Sequence, residues 1–281
     1  MSELTGKTTV PGIEIAPGVT IPTLGYGVFQ IPGDETAQAV REALVAGYRS
    51  IDGAAIYGNE AAVGRAIRES GVDRSEIFVT SKVWNDDQGR DRTYRAFEAS
   101  VQRLGTDYLD LYLIHWPAPA RGLFVETWEA LINLREQGRV RAIGVSNFNE
   151  SHLARLVEET GVVPAINQVE LHPYLQQEAL RAVHATYGIT TEAWGPLGQG
   201  SDLLGDPVLQ GIAARSGATP AQVVLRWHLA LGNVAIPKSL SPRRMRENLE
   251  AQRIELTLDD LALLAGLDRG GRLGPDPAEF G

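Results

Sequence analysis

The chain reads as an α/β protein, a single (β/α)8 TIM barrel over residues 1–281, and two features of the sequence lead there. Short apolar, β-rich runs recur eight times with helix signals between them, the alternation a parallel barrel requires. Charged and amide residues then stand repeatedly at the C-terminal ends of those runs, the face on which such barrels carry their chemistry. A chain of 281 residues suits one domain of this kind, and no linker or low-complexity tract divides it.

In chain order, Thr8–Ile21 contains Pro11-Gly12 and Pro17-Gly18 and predicts a β-hairpin that plugs one end of the barrel. Strands follow at Thr23–Gly27, Tyr48–Asp52, Ile77–Lys82, Leu109–His115, Val140–Ser146, Ala165–Glu170, Ile189–Trp194 and Val234–Lys238. Several helices announce their own starts. Asn149 can cap the helix after the fifth strand. Thr219-Pro220 with Gln222, and Thr257 with Asp260, form capping boxes, and Ser241-Pro242 repeats the cap followed by proline. Three stretches after strand ends, Asn85–Arg92, Trp116–Phe124 and Gly195–Leu204, read as long loops, and loops of that length are more often functional than idle. The Gly- and Pro-rich Arg269–Gly281 reads as a tail without regular structure.

Composition narrows the function. A net charge of −9 argues against nucleic acid or an acidic membrane face as a partner. With no cysteine, a disulfide scaffold, thiolate catalysis and Cys-ligated zinc are excluded. The segment MSELTGKTTVPG lacks the apolar core of a signal peptide and no apolar run reaches membrane-spanning length, so a cytoplasmic protein is expected. No His or carboxylate spacing suggests a metal site. Of 26 basic residues only three are lysine, and two of these, Lys82 and Lys238, each follow an apolar strand. Lysine can titrate and sit as a compact charge where arginine cannot. The third, Lys7, falls in a loose N-terminal tail.

The strand ends present Asp52, Lys82, His115, Ser146-Asn147, Gln168, Trp194 and Lys238. Any one of these is ordinarily just the place where polarity begins. Asp, Lys and His closing three consecutive strands form a pattern with a chemical purpose. Tyr57 lies five residues after Asp52 in the loop of YRSIDGAAIYGNE, within reach of the same spot. A free phenol has a pKa of about 10, and bringing it to ~7 takes about 4 kcal/mol. One ammonium ~4 Å away in a partly shielded site supplies about that amount. Lys82 is expected to do this for Tyr57, with Asp52 keeping Lys82 charged and His115 orienting a substrate oxygen by hydrogen bond. A tyrosine so placed can give a proton and recover it, which suits interconversion of carbonyls and alcohols.

The motifs IDGAAIYGNE (51–60), TSKVWN (80–85), DYLDLYLIHWP (107–117), IGVSNF (143–148), NQVELHP (167–173), WGPLGQG (194–200) and IPKS (236–239) together resemble an aldo-keto reductase. The likeness is strongest to the bacterial branch that includes 2,5-diketo-D-gluconate reductase, and it runs from about Thr23 to Asp268. It implies a monomeric NADPH-dependent enzyme that reduces aldehydes or ketones, with small carbonyls, keto-sugars and dicarbonyls all open. By the resemblance, Asp52, Tyr57, Lys82 and His115 form the catalytic tetrad. Ser146, Asn147 and Gln168 would bind the nicotinamide carboxamide, and Trp194 would stack on its ring. Gly195, Leu197 and Gln199 would belong to a pyrophosphate strap, and Lys238, Ser239, Arg244, Glu247 and Asn248 to the adenosine end. Phe29, Trp84 and Trp116 would line an apolar substrate pocket. Two positions depart from the pattern. Gly53 replaces the usual Thr or Ser and is expected to loosen the backbone of Asp52, and Ser241 stands where relatives often carry a second arginine, implying a weaker preference for NADPH.

Other readings have specific signatures. Gly53 keeps open an NADPH-binding redox sensor with little turnover. A lyase or isomerase using Lys82 as a Schiff base needs a lysine free of carboxylate pairing. His172 is expected to bond backbone, and His152, His184 and His228 to lie at the surface or core edge. Trp227 is expected in the core, and the remaining arginines of Arg243-Arg244-Met245-Arg246 on a solvated face.

Overall fold

Pro11-Gly12 and Pro17-Gly18 flank the first element of the computed structural model, which describes residues 10–281. Lys7, Thr8, Thr9 and most of the N-terminal MSELTGKTTVPG segment lie outside the described residues. Strands β1 (Gly12–Ala16) and β2 (Val19–Pro22) pair antiparallel around Gly18, whose φ of 72° favours glycine. Val19 and Ile21 pack with Phe78, Ile166 and Val234, the first residues of three later strands. The hairpin therefore covers the N-terminal end of the sheet.

The repeat then runs β3 (Tyr26–Gly27), α1 (Gly33–Ala46), β4 (Ser50–Asp52), α2 (Glu60–Glu69), β5 (Phe78–Val83), α3 (Arg90–Leu104), β6 (Leu109–Ile114) and α4 (Phe124–Glu136). It continues with β7 (Val140–Ser146), α5 (Glu150–Thr160), β8 (Ile166–Glu170), α6 (Glu178–Tyr187) and β9 (Thr190–Trp194). Helices α7 (Pro207–Ser216) and α8 (Pro220–Ala230), strand β10 (Val234–Ala235), and helices α9 (Pro242–Glu250) and α10 (Leu258–Ala265) complete it. Strands β3 to β10 form one parallel eight-stranded sheet in sequence order. Every residue of β5, β6 and β8 is buried, as expected of parallel strands covered on both faces. A parallel bridge joins Leu24 to Ala235, and Gly25 N–H donates to the Ala235 carbonyl at 2.9 Å. The backbones come close here: a side chain at Gly27 would begin 3.0 Å from the Ile236 carbonyl oxygen.

Local signals at helix starts were accurate. Asn149, Thr219 and Thr257 each complete a capping box, and Ser241 accepts from Arg244 N–H. Helix α7 opens on the same cap-plus-proline pattern at Asp206-Pro207. The stretch Asn85–Arg92 is not wholly loop: α3 begins at Arg90. Its first amides are satisfied from α4, Gly89 N–H by Thr127 Oγ1 at 2.8 Å and Arg90 N–H by Glu126 Oε1 at 2.9 Å, a cap invisible to local sequence. The last strand is shorter than Val234–Lys238 because Pro237 has no N–H to donate. Trp227 lies in the core, but so do His184 and His228, each with no exposed surface. Both find buried partners, His184 with Asn167 (2.9 Å) and Thr191 (2.8 Å), and His228 with the Pro196 carbonyl (3.5 Å). Among the described residues no helix is long and apolar enough to cross a membrane.

Candidate active site

Asp52 ends β4, Lys82 lies in β5 beside it, and His115 follows β6, so adjacent parallel strands deliver all three to one face. Tyr57 closes a single 3-10 turn, Ala55–Tyr57, ended by Gly58 at φ 69°. Asn59 ties this turn to the loop carrying Phe29, its amide donating to the carbonyls of Val28 (3.0 Å) and Ile31 (3.2 Å). Lys82 is completely buried and donates to Asp52 Oδ1 at 2.7 Å and the Gly53 carbonyl at 2.9 Å. Its ammonium sits 5.3 Å from the centre of the Tyr57 ring, and the Tyr57 and His115 rings meet edge-on at 5.6 Å. The four side chains converge.

Their electrostatics depart from expectation in one respect. Burial pushes the Tyr57 phenol up, Lys82 pulls against it, and Asp52 and Glu192 add to the rise, so the net direction is upward. The ammonium therefore does not bring Tyr57 near neutrality, because desolvation and two carboxyl groups outweigh it. Burial pulls the Lys82 ammonium down, but Asp52, Tyr57 and Glu192 together carry it above its usual range. Burial, followed by the Lys82 charge, holds His115 well below the usual histidine range, so its ring is neutral.

Gly53 does not loosen the site. Its N–H donates to the Thr80 carbonyl at 3.0 Å while its own carbonyl accepts from Lys82, so both backbone groups are held. The neighbouring amides form an internal network rather than standing open. Ser146 Oγ donates to the Gln168 carbonyl (2.8 Å), Asn147 Nδ2 to the His115 carbonyl (3.0 Å), and Trp194 Nε1 to Asn147 Oδ1 (2.7 Å). Gln168 Nε2 is divided between Asp52 Oδ2 (2.8 Å) and Glu192 Oε2 (2.9 Å). Gln168 therefore braces Asp52 through its amide nitrogen.

A second region lies across α9. A cavity of about 870 Å³ is lined by Leu197, Lys238, Ser239, Arg243, Arg244, Glu247 and Asn248, among others. Gly195 and Gln199 are not in its lining; Gln199 folds against Gly195 instead. The side chains of Lys238 and Arg244 have no hydrogen-bond or ion-pair partner among the described residues, and the cavity adjoins the N-terminus of α9. Unpaired cations at a helix N-terminus in a chain of net charge −9 suit an anionic group such as a nucleotide phosphate. Arg243, expected on a solvated face, also lines this cavity, 3.5 Å from Glu247.

Aromatic side chains wall the space above Tyr57. Phe29 lies 4.9 Å from Tyr57, and Trp84 5.2 Å from His115. Phe280 of the tail packs 4.6 Å from Trp116 and 6.4 Å from Trp84. The tail lacks regular structure as expected, but Glu170 fixes it, accepting from Leu273 N–H (2.7 Å) and Gly274 N–H (2.8 Å). His172 bonds this same carboxylate at 3.0 Å, not backbone. Glu170, Glu192, Arg243 and Phe280 escaped the sequence reading. For the two glutamates a signal existed: each is a carboxylate within a strand, two residues from a site residue, Gln168 and Trp194 respectively.

Comparison with known proteins agrees with this geometry. The signature of the Aldo/keto reductase family matches residues 23–269. An aldo-keto reductase of Mycolicibacterium smegmatis is 58% identical over 270 residues, covering 96% of this chain and 98% of the relative. The methylglyoxal reductase DkgA of Escherichia coli is 48% identical with the same coverage. Among solved structures, a variant of Gox0644 in complex with NADPH superposes with a TM-score of 0.92 at 49% identity, over 96% of this chain and 98% of that one. With a family match spanning most of the chain and relatives of this identity, the chain belongs to the aldo/keto reductase family.

Proposed function

We propose that this protein is an NADPH-dependent reductase that converts the carbonyl of a small aldehyde, ketone or dicarbonyl to an alcohol. The observation that carries the reading is the convergence of Tyr57, Lys82 and His115 beneath an aromatic wall. The methylglyoxal named for DkgA and the NADPH named for Gox0644 support the substrate class and the cofactor. The sheet is read as a closed barrel of one domain, on the strength of the hydrogen bonds between the Leu24 segment and β10.

Lys238, Ser239 and Arg244 would hold the adenosine phosphate end of the cofactor in the cavity that Leu197 and Asn248 also line, while Trp194 and Asn147 would serve the nicotinamide end. When bound, the reduced nicotinamide supplies a hydride to the carbonyl carbon. The residues do the rest. Tyr57, with its phenol raised, is protonated throughout the physiological range and so is always in the donor form. It releases the proton only as negative charge builds on the carbonyl oxygen, since an alkoxide is far more basic than a phenolate. Lys82 then stabilises the phenolate, and Asp52 keeps Lys82 charged. Neutral His115 offers one N–H to the same oxygen. Its buried Nδ1 has no partner, which places the proton on Nε2, because a buried donor is costlier to leave unpaired than an acceptor. Phe29, Trp84 and Trp116 exclude water and favour apolar substituents.

Tyr57→Phe is expected to reduce kcat by at least ~1000-fold for a small aldehyde, while NADPH affinity measured by fluorescence titration stays within about threefold. Retention of most of kcat would remove Tyr57 as the donor. The Schiff-base alternative is disfavoured by the 2.7 Å pairing of a fully buried Lys82 with Asp52. A sensor with little turnover rested on a loosened Gly53, whose backbone is held on both sides.

A further inference from the structure

Asp52 and Lys82 form a balanced pair in the interior, yet a second carboxyl group faces them that the proposed chemistry does not use. Glu192 is 1% exposed and lies in register with Gln168 of β8 on one side and Val234 of β10 on the other. Gln168 has two amide hydrogens, and it points one at Asp52 Oδ2 and one at Glu192 Oε2. The charged or titratable groups that interact with Glu192 are Asp52 from β4, Lys82 from β5 and Tyr57 from the turn after β4; Val234-Ala235 of β10 contributes none. Two carboxylates against one ammonium, with no exposure to solvent, would leave an uncompensated buried charge. One proton resolves that conflict.

We infer that Glu192 is a positioning residue for the proton donor, holding its proton beside Asp52 so that the Asp52–Lys82 pair beneath Tyr57 stays balanced. Burial pushes the Glu192 carboxyl up, the Asp52 charge adds to the rise, and Gln168 and Lys82 pull back, leaving it at about 8. Tyr57 and Lys82 are pushed upward and His115 well down, so Glu192 is the site group that titrates just above neutrality. Its ionisation sets a second negative charge against Lys82 and opposes formation of the Tyr57 phenolate. Carbonyl reduction should therefore fall as pH rises through that titration.

The inference rests on Tyr57 as the donor, and its tests separate from that reading. In the cofactor-free protein, infrared difference spectroscopy between pH 6 and 10 should show a protonated buried carboxyl band that persists at pH 7, is half lost near pH 8 and is gone by pH 10. Glu192→Gln should lack the band. In the pH profile of kcat for a small aldehyde with NADPH, Glu192→Gln should move the alkaline limb upward by about one unit or more, while kcat near pH 6.5 stays within about threefold. A Glu192 carboxyl already ionised at pH 6, which the unmutated protein alone can reveal, would overturn the inference. So would superimposable alkaline limbs in the two proteins. If Tyr57→Phe is inactive and those limbs coincide, only the role of Glu192 fails; if Tyr57→Phe stays active, the donor assignment itself fails.

Discussion

Lys82 has no exposed surface, so its charge is sustained by the 2.7 Å contact with Asp52. Breaking a buried pair from one side leaves its partner uncompensated, and such changes cost about 3–5 kcal/mol. Lys82→Met is expected to lower unfolding free energy by roughly that amount. In urea titrations the double variant with Asp52→Asn should lose less than the sum of the two single losses. Gly53 leads to the opposite prediction. Its φ is not positive, and an added Cβ would make ordinary contacts of 3.5 Å with the Thr80 carbonyl and 3.8 Å with Val28. Gly53→Ala should therefore stabilise the fold by about 0.4–1 kcal/mol with kcat little changed, as thermal melts and a standard turnover assay would show. Asp52, Lys82 and His115 were legible as a strand-end pattern, with Tyr57 in the loop after Asp52, because adjacent parallel strands must bring their ends together. The direction of the Tyr57 shift was not, because it is set first by burial, and burial exists only in the folded sheet.

Helix α9 and the tail show how elements carry specificity. Ser241 caps α9, so its place in the sequence is explained by the helix start, and Arg243 and Arg244 then bring two guanidinium groups to the cavity. Arg244→Ala is expected to weaken NADPH by about 10- to 100-fold, the worth of charge-assisted hydrogen bonds, and NADH by far less. Equal weakening of both, by fluorescence titration, would count against a phosphate contact. The tail depends on Glu170. Glu170→Ala leaves the Leu273 and Gly274 amides without their acceptor and should free Phe280 from Trp84 and Trp116. Faster proteolysis near the C-terminus and a several-fold rise in KM for the carbonyl, with kcat nearly constant, are the expected results. The caps were readable because they are local. The anchoring of the tail was not, since its contacts span more than a hundred residues of chain.

Across the whole molecule, buried titratable groups set how stability varies with pH. Burial holds His184 at about 4 and His228 at about 3, below an ordinary 6.5, and His115 is also well below it. Below pH 6.5 the unfolded chain takes up protons that these rings refuse, so stability falls as pH drops from 6.5 toward 4. Glu192 works in the other direction. It is raised from 4.5 to about 8, so the folded state keeps a proton that the unfolded chain releases, and stability declines as pH rises through that window. These histidines, joined by His152, outweigh one glutamate below 6.5, and Glu192 acts alone between 6.5 and 8. The melting temperature should therefore peak near pH 6.5, and Glu192→Gln should flatten the decline between 6.5 and 8.

The sequence by itself determined the succession of strands and helices, the caps before Pro220, Pro242 and Leu258, and the three strand-end side chains with the loop tyrosine beside them. All of these follow from periodicity and from bonds between residues a few positions apart. Tertiary structure alone decided that Gln168 braces two carboxyl groups, that Glu170 holds the tail, that Arg243 faces the cavity, and that Tyr57 is raised instead of lowered. Each of these outcomes depends on contacts between segments far apart in the chain, and for Tyr57 on desolvation as well, and these exist only once the fold has brought the segments together.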